Sequence, residues 1–351
     1  MKIDWTVRRL AGLARRKHLS CLLVGGLLVA GIAGCGGGGG GFGFDGKRIV
    51  RGLGRLIAWA DSTNAVAFGD GRFVLLDFFG AHESVDGTRF TRVPGFEDGL
   101  PGLRGLAFGD AGWVAAVSSG HTFYSQDGRA WSSIQIAADP QDAPALVGVA
   151  FGAGRYVVVG EGGSIFLSHG GWTWDEASSG TASHLLAVAH ANDQFVAVGQ
   201  DGTIVRSGDG LTWQLEHWRS ESLLLGVAGG DGVWLATGGG GLLLRSVDGA
   251  AWEEIPIPVE DFFGVGPLWD AAFGLGRFVV VGRDAMSQGV LLVSSDGAQS
   301  FERVRPGDGT LGSFAGLDSI TFGRGRFVAV GHVTTVTSSD GIVWEEHSRF
   351  R

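Results

Sequence analysis

From Leu185 the chain reads LLAVAHA, QFVAVG, TIVRS and TWQLE, four short apolar-rich runs parted by Asn192-Asp193, Asp201-Gly202 and Asp209-Gly210. Such pairs between β-rich runs mark tight hairpin turns, which need residues that tolerate φ > 0. Runs such as QFVAVG and YVVVG are apolar on both faces, as strands are when neighbours cover them on either side. The unit is four antiparallel strands in about 40 residues.

The unit recurs. A first apolar anchor falls at Val66, Leu106, Val149, Val188, Val227, Ala271 and Ile320, at spacings of 40, 43, 39, 39, 44 and 49 residues. A second anchor, an aromatic after the third turn, falls at Phe90, Trp131, Trp174, Trp213, Trp252, Phe301 and Trp344. Two registers that agree through seven copies predict an all-β fold: a seven-bladed β-propeller of four-stranded antiparallel blades over residues 48–351. No stretch after residue 45 carries a helical period.

Composition sharpens this picture at two points. The 64 Gly and 8 Pro approach the level of disordered chains, but 44% hydrophobic residues, 22 Phe and 12 Trp belong to a chain that folds. The glycines therefore read as turn residues. Charge is uneven. Residues 1–34 hold six basic residues and one acid, which leaves 21 basic against 35 acidic residues in the rest, a net −14. A body this acidic lacks the cationic footprint of nucleic-acid binding, which is excluded.

The basic N-terminus leads into CLLVGGLLVAGIAG, Cys21 to Gly34. This apolar run is too short to span a bilayer, which takes roughly 20 residues, and suits the core of a signal peptide over residues 1–34. It ends in Ile32-Ala33-Gly34-Cys35, which resembles the lipobox of bacterial lipoproteins. The resemblance implies cleavage before Cys35 and a lipid on its thiol; the alternative is an ordinary secretory signal with an incidental cysteine. Glycines 36–41 form a flexible tether within residues 35–47. The expectation is an extracytoplasmic, lipid-anchored protein. Gly36, where Gram-negative sorting would read Asp as a retention signal, implies the outer membrane in such a cell. The two cysteines, Cys21 and Cys35, both precede the body, which therefore holds no internal disulfide.

The third turn reads Ser-x-Asp-Gly in six copies, with the carboxylates at Asp86, Asp127, Asp209, Asp248, Asp296 and Asp340. With the aromatic that follows, it resembles the Asp-box, or bacterial neuraminidase repeat. The third copy, SHGGWTW, lacks the aspartate, and only the sixth, SSDGAQSF, keeps the usual family spacing. Repetition assigns these aspartates to the fold: each accepts backbone N–H bonds inside its own turn, and the aromatic packs between blades. The resemblance extends to secreted photosystem II assembly/stability-factor-like proteins, and implies a binding or assembly scaffold.

Sialidase chemistry, which the Asp-box also brings to mind, needs a tyrosine nucleophile beside an arginine cluster. Tyr156 occupies a core position that Phe73, Phe195, Phe278 and Phe327 hold elsewhere, and Tyr124 lies at the wrong end of its strand. Arg72, Arg155, Arg277 and Arg326 recur in the GR turns of four copies, as repeat residues. No catalytic set, metal-ligand spacing or cofactor motif stands out, and no cofactor or metal is expected.

Binding is expected on the face where second-to-third turns and the long fourth-to-first connections open. There the repeat stops repeating, at Glu161, Asp201, Arg283, Asp284 and His332, with Trp269 as an aromatic anchor and Phe96, Phe262 and Phe263 nearby. The partners expected are the membrane, through the lipid, and a protein or cell-envelope polymer. The rival is a glycan-active hydrolase or lyase using carboxylates of this face. Convergent Asp, Glu and His in one pocket would favour the rival; a broad aromatic face would favour binding.

Overall fold

The computed structural model describes residues 64–77, 80–94, 102–136, 143–219, 221–257, 264–304, 316–331 and 334–348. Cys35, the tether, Phe96, Phe262, Phe263 and His332 lie outside the described residues. The strands form seven four-stranded antiparallel sheets, each built from four consecutive strands, inner to outer. The inner strands are Ala65–Gly69, Leu103–Gly109, Leu146–Gly152, Leu185–Ala191, Leu224–Gly230, Val265–Gly274 and Leu317–Gly323. Each touches the next, and the seventh touches the first. The result is the seven-bladed β-propeller that the repeat predicts.

Blade 4 shows how the sequence builds the unit. Its strands Leu185–Ala191, Gln194–Gly199, Thr203–Ser207 and Gln214–His217 pair in order, with Val188 opposite Ala197, Val198 opposite Ile204 and Val205 opposite Leu215. The second strand is buried from Phe195 to Gly199, covered by blade 3 on one face and blade 5 on the other. This is why QFVAVG carries no polar alternation. The outer strand, Gln214–His217, is the exposed edge.

Two sets of side chains join the blades. Each third-turn aromatic packs into the cluster shared with the preceding blade: Trp131 with blade 1, Trp213 with blade 3, Phe301 with blade 5, Trp344 with blade 6. Their burial differs. Phe301 and Trp344 are 3% and 4% exposed, and the other five are only partly buried.

The second joint lies at the end of the inner strands. Phe108, Phe151, His190, Phe273, Phe322 and Phe68 each cover the terminal glycine of the preceding blade's inner strand: Gly69, Gly109, Gly152, Gly230, Gly274 and Gly323. A Cβ on any of these glycines would fall 2.0–2.3 Å from the covering ring, so no other residue fits. The joint between blades 4 and 5 is inverted. Ala191 stands where the glycine would be, and Gly229 stands where the ring would be. The volume has moved across the interface and the packing is kept.

In blades 1, 2, 4, 5 and 7 the aspartate of the Ser-x-Asp-Gly turn accepts the N–H groups two and three residues on, and in blade 6, with its longer spacing, those three and four on. Asp209 Oδ1 accepts the backbone N–H groups of Leu211 at 2.8 Å and Thr212 at 3.0 Å and the Ser207 hydroxyl at 3.0 Å; Ser207 Oγ in turn accepts the Gly210 N–H at 2.8 Å. Trp213 Nε1 then donates to the Gly210 carbonyl at 2.8 Å. In blade 3, where Gly170 replaces the aspartate, Ser168 still holds the Gly171 N–H at 2.7 Å, but Trp174 Nε1 finds no acceptor. The aspartate thus sets the end of the turn that aims the indole.

These bonds favour the ionised carboxyl. The N–H groups of Thr212 and Leu211 hold Asp209 below the usual carboxylate range. Burial raises Asp86, but the N–H and hydroxyl bonds of Thr88 and the Ser84 hydroxyl outweigh it and hold its value at about 2. A carboxyl depressed in the fold contributes stability that is complete above its unfolded value of about 3.9 and is lost as pH falls through the folded value. Asp209→Ala is expected to lower stability by about 1 kcal/mol at pH 7, since water reaches the freed N–H groups. Chemical denaturation repeated at pH 3 checks the cause: the difference between the two proteins narrows in acid.

Candidate functional site

The inner strands surround a central cavity of about 370 Å³ that opens on the face of the second-to-third turns. A β-bulge near the top of each inner strand makes its wall. In blades 2 to 7 the pairing with the second strand skips one residue: Arg104, Val147, Leu186, Leu225, Trp269 and Asp318. A bulged residue is left out of the ladder and its side chain is re-aimed. All six line the cavity, with Asn64 of blade 1 completing the ring.

The bulge explains the glycine of the VAVG run. At Gly199 a Cβ would lie 1.9 Å from the His184 carbonyl oxygen, and the next residue, Gln200, donates its N–H to that oxygen at 2.9 Å. Glu161 N–H is pinned to Ala145 in the same way at 2.8 Å. The residue after VAVG is therefore fixed beside the mouth, and Ser118, Glu161 and Gln200 join the lining.

The lining has two levels. At the mouth stand Asn64, Arg104, Glu161, His184, Asp270 and Asp318; below them runs an aliphatic collar from Val66 through Leu106, Val149, Val188 and Val227 to Ile320. Asn64 Nδ2 donates to Asp318 Oδ2 at 2.8 Å. His184 Nδ1 accepts the Gly162 N–H at 2.8 Å, which places the ring proton of the neutral imidazole on Nε2. Asp270 accepts three bonds, from Ala271 N–H at 2.8 Å, Ile320 N–H at 3.0 Å and the Ser319 hydroxyl at 3.1 Å. Withdrawal from water nevertheless dominates and pushes the Asp270 carboxyl up to about 6.

Of the residues singled out by sequence, Glu161 and Trp269 line this cavity. Arg283 stands behind the wall, its guanidinium 5.1 Å from the centre of the Trp269 ring. Asp284 caps its own turn, accepting N–H bonds from Met286 and Gln288 at 2.9 Å, and pairs with Arg303 at 3.4 Å. Asp201 is exposed and accepts the Ser183 hydroxyl at 3.0 Å. Trp269, read from sequence as the end of a connecting loop, belongs to the inner strand Val265–Gly274. Arg104, His184, Asp270, Asp318 and Asn64 were not singled out. The signal for Asn64, Arg104 and Asp318 was the aligned column two before the first anchor, where the copies carry Asn, Arg, Val, Leu, Leu, Trp and Asp; His184 and Asp270 stand outside that column.

No family model and no curated protein matches the sequence. Solved structures do. YCF48 from Cyanidioschyzon merolae is similar at 17% identity and a TM-score of 0.56, over 82% of this chain and 96% of that one. A YCF48 bound to a D1 peptide aligns at 15% identity and a TM-score of 0.55, over 70% and 80%. The GH74 enzyme of Niastella koreensis aligns at 14% identity and a TM-score of 0.61, over 82% of this chain and 54% of the enzyme. The likeness is one of fold.

Both tyrosines sit away from the cavity. Tyr156 is fully buried between blades, its hydroxyl donates to the Gly112 carbonyl at 2.6 Å, and burial pushes it up to about 12. Tyr124 donates to the Ala111 carbonyl at 2.7 Å and meets Trp172 edge-on. Among the described residues no three His, Cys, Asp or Glu side chains are gathered as a metal site.

Proposed function

We propose that the chain is a membrane-tethered, extracytoplasmic propeller that binds a protein partner through the face on which the central cavity opens. The observation that carries this reading is the ring of bulged residues. A rigid scaffold presents Asn64, Arg104, Trp269 and Asp318 from different blades at one mouth, and unlike side chains on a common frame are what recognition requires. A similar propeller, YCF48, is described with a bound D1 peptide, which supports a polypeptide ligand. The lipid on Cys35 and an outer-membrane address complete the proposal, on the strength of Ile32-Ala33-Gly34-Cys35 and Gly36.

The test compares two variants in cross-linking from the native membrane. Glu161→Ala with Trp269→Ala and Arg283→Ala is expected to lose the partners that wild type holds. Val85→Ser with Leu211→Ser, on the opposite face, is expected to keep them. Equal retention by both folded variants would place binding elsewhere.

A second reading has one observation behind it. Glu161, His184, Asp270 and Asp318 line a single cavity, and a carboxyl raised to about 6 is suited to general acid catalysis. A glycan-active hydrolase would release reducing ends from cell-envelope polysaccharides, and lose that activity in Asp270→Asn. Absence of release across such a panel would retire it.

A further inference from the structure

Blade 6 departs from the other six on the cavity wall. At the position just before the first anchor they carry Ala65, Gly105, Gly148, Ala187, Gly226 and Ser319, all small. Neighbouring inner strands leave little space there: a Cβ on Gly226 would lie 2.8 Å from the Trp269 carbonyl oxygen. Blade 6 places Asp270 at this position, on the cavity wall. Its inner strand also carries two register shifts, between Val265 and Leu268 and between Leu268 and Asp270. Departures from local rules concentrate at functional sites, and bulges re-aim side chains toward them.

The surroundings define what such a carboxylate would meet. Three carboxylates, Glu161, Asp270 and Asp318, share the mouth with one guanidinium, Arg104, and with His184. Trp269 already draws the Arg283 guanidinium to its ring, as an electron-rich face does. Blade 6 lines the cavity through Trp269 and Asp270 and adds no residue to the aliphatic collar, which the other six blades supply. At ~30 Å³ for each water-sized group, the cavity of about 370 Å³ takes roughly a dozen non-hydrogen atoms.

We propose that the central cavity binds a primary ammonium group joined to an apolar body, with the ammonium at Asp270 and Asp318 and the apolar part in the collar. Two carriers share this chemistry: a free amine, and the N-terminal residue of a polypeptide. An ammonium beside Asp270 adds to its three hydrogen bonds in offsetting the desolvation that raises its carboxyl. The site shares the cavity mouth, and Asp318 with it, with the scaffold reading. A propeller that keeps its partners and shows no ammonium preference overturns the ligand and leaves the scaffold standing.

Calorimetric titration at pH 8 with n-hexylammonium, n-hexanol and n-hexanoate tests the proposal. Hexylammonium is expected to bind at least about tenfold more tightly than hexanol, the factor for one charge pair of ~1.4 kcal/mol, and hexanoate more weakly than either. Asp270→Ser with Asp318→Asn should reduce that preference below about threefold; serine is what blade 7 carries at this position, and asparagine keeps a partner for Asn64. Asp318→Asn alone should lower it in part, so the test survives a double variant that does not fold. At pH 5, below the Asp270 value, the wild-type preference should shrink. Leu-Gly-Gly amide against its N-acetyl form distinguishes the carriers: a preference for the uncapped peptide assigns a polypeptide N-terminus, and one confined to hexylammonium assigns a free amine. Equal affinity for hexylammonium and hexanol, or a preference unchanged in the double variant, overturns the proposal.

Discussion

Trp344→Ala is expected to lower stability by about 3–5 kcal/mol, measured as a fall in the chemical denaturation midpoint at unchanged slope. The indole is 4% exposed, donates through Nε1 to the Gly341 carbonyl at 3.0 Å, and lies 6.2 Å from the Phe327 ring, centre to centre. It closes a cluster that takes Val279, Val281, Leu291 and Val293 from blade 6 and Phe327, Ala329 and Val336 from blade 7. Burying an aromatic of this size removes 150–250 Å² from water, worth roughly 4–6 kcal/mol gross at about 25 cal/mol per Å². Truncation forfeits most of that, because two β-sheets cannot collapse into the void without losing register. Trp213→Ala should have a smaller effect, since that indole is only partly buried. Equal effects at the two sites would mean that burial between blades does not govern these tryptophans.

Gly274→Ala should destabilise by about 1–3 kcal/mol although it adds a single methyl group. The new Cβ would sit 2.3 Å from Phe322 Cγ, and Phe322 has nowhere to retreat, since the Phe327 ring stands 4.8 Å behind it. Blades 4 and 5 show how such a clash is resolved: Ala191 is accommodated because residue 229 is glycine. A double-mutant cycle follows from this. Phe322→Gly alone opens a cavity, and Gly274→Ala alone overpacks, so the combined variant should be more stable than the two losses added together predict, by at least about 1 kcal/mol. Strict additivity would show that the methyl group and the ring do not compete for one space.

The blade count was legible because two anchors with different physical causes, an apolar inner strand and a turn aromatic, stayed in register through every copy. The Ser-x-Asp-Gly turn was legible because its chemistry is local: Asp209 reaches only residues 207 to 212. The cavity was not legible in the same way. A bulge is a property of pairing between two strands, and nothing in Arg104, Leu186 or Asp318 taken singly marks it as the residue that the ladder skips. The polar turn residues drew attention instead, and they divide. Glu161 is held at the mouth by a backbone bond, whereas Asp284 turns back to cap its own loop. Aligning the copies two positions ahead of the first anchor would have shown the column that matters.

Among the described residues no sheet borrows a strand from another repeat: every blade is four consecutive strands of one copy. Among the described residues, blades 7 and 1 therefore meet without an interlocking strand. Their meeting rests on Phe68 over Gly323, on Asn64 with Asp318, and on the Arg324 guanidinium reaching the Gly71 carbonyl at 3.2 Å. These are the kinds of contact made elsewhere round the ring, so among the described residues this joint is held as the others are. The unit that the gene can copy and the unit that the fold can insert coincide, and a duplication of one repeat delivers a complete, paired sheet with a ring for one neighbour and a glycine for the other. Drift within such an array is tolerated so long as each interface keeps its combined volume, as Ala191 and Gly229 have done.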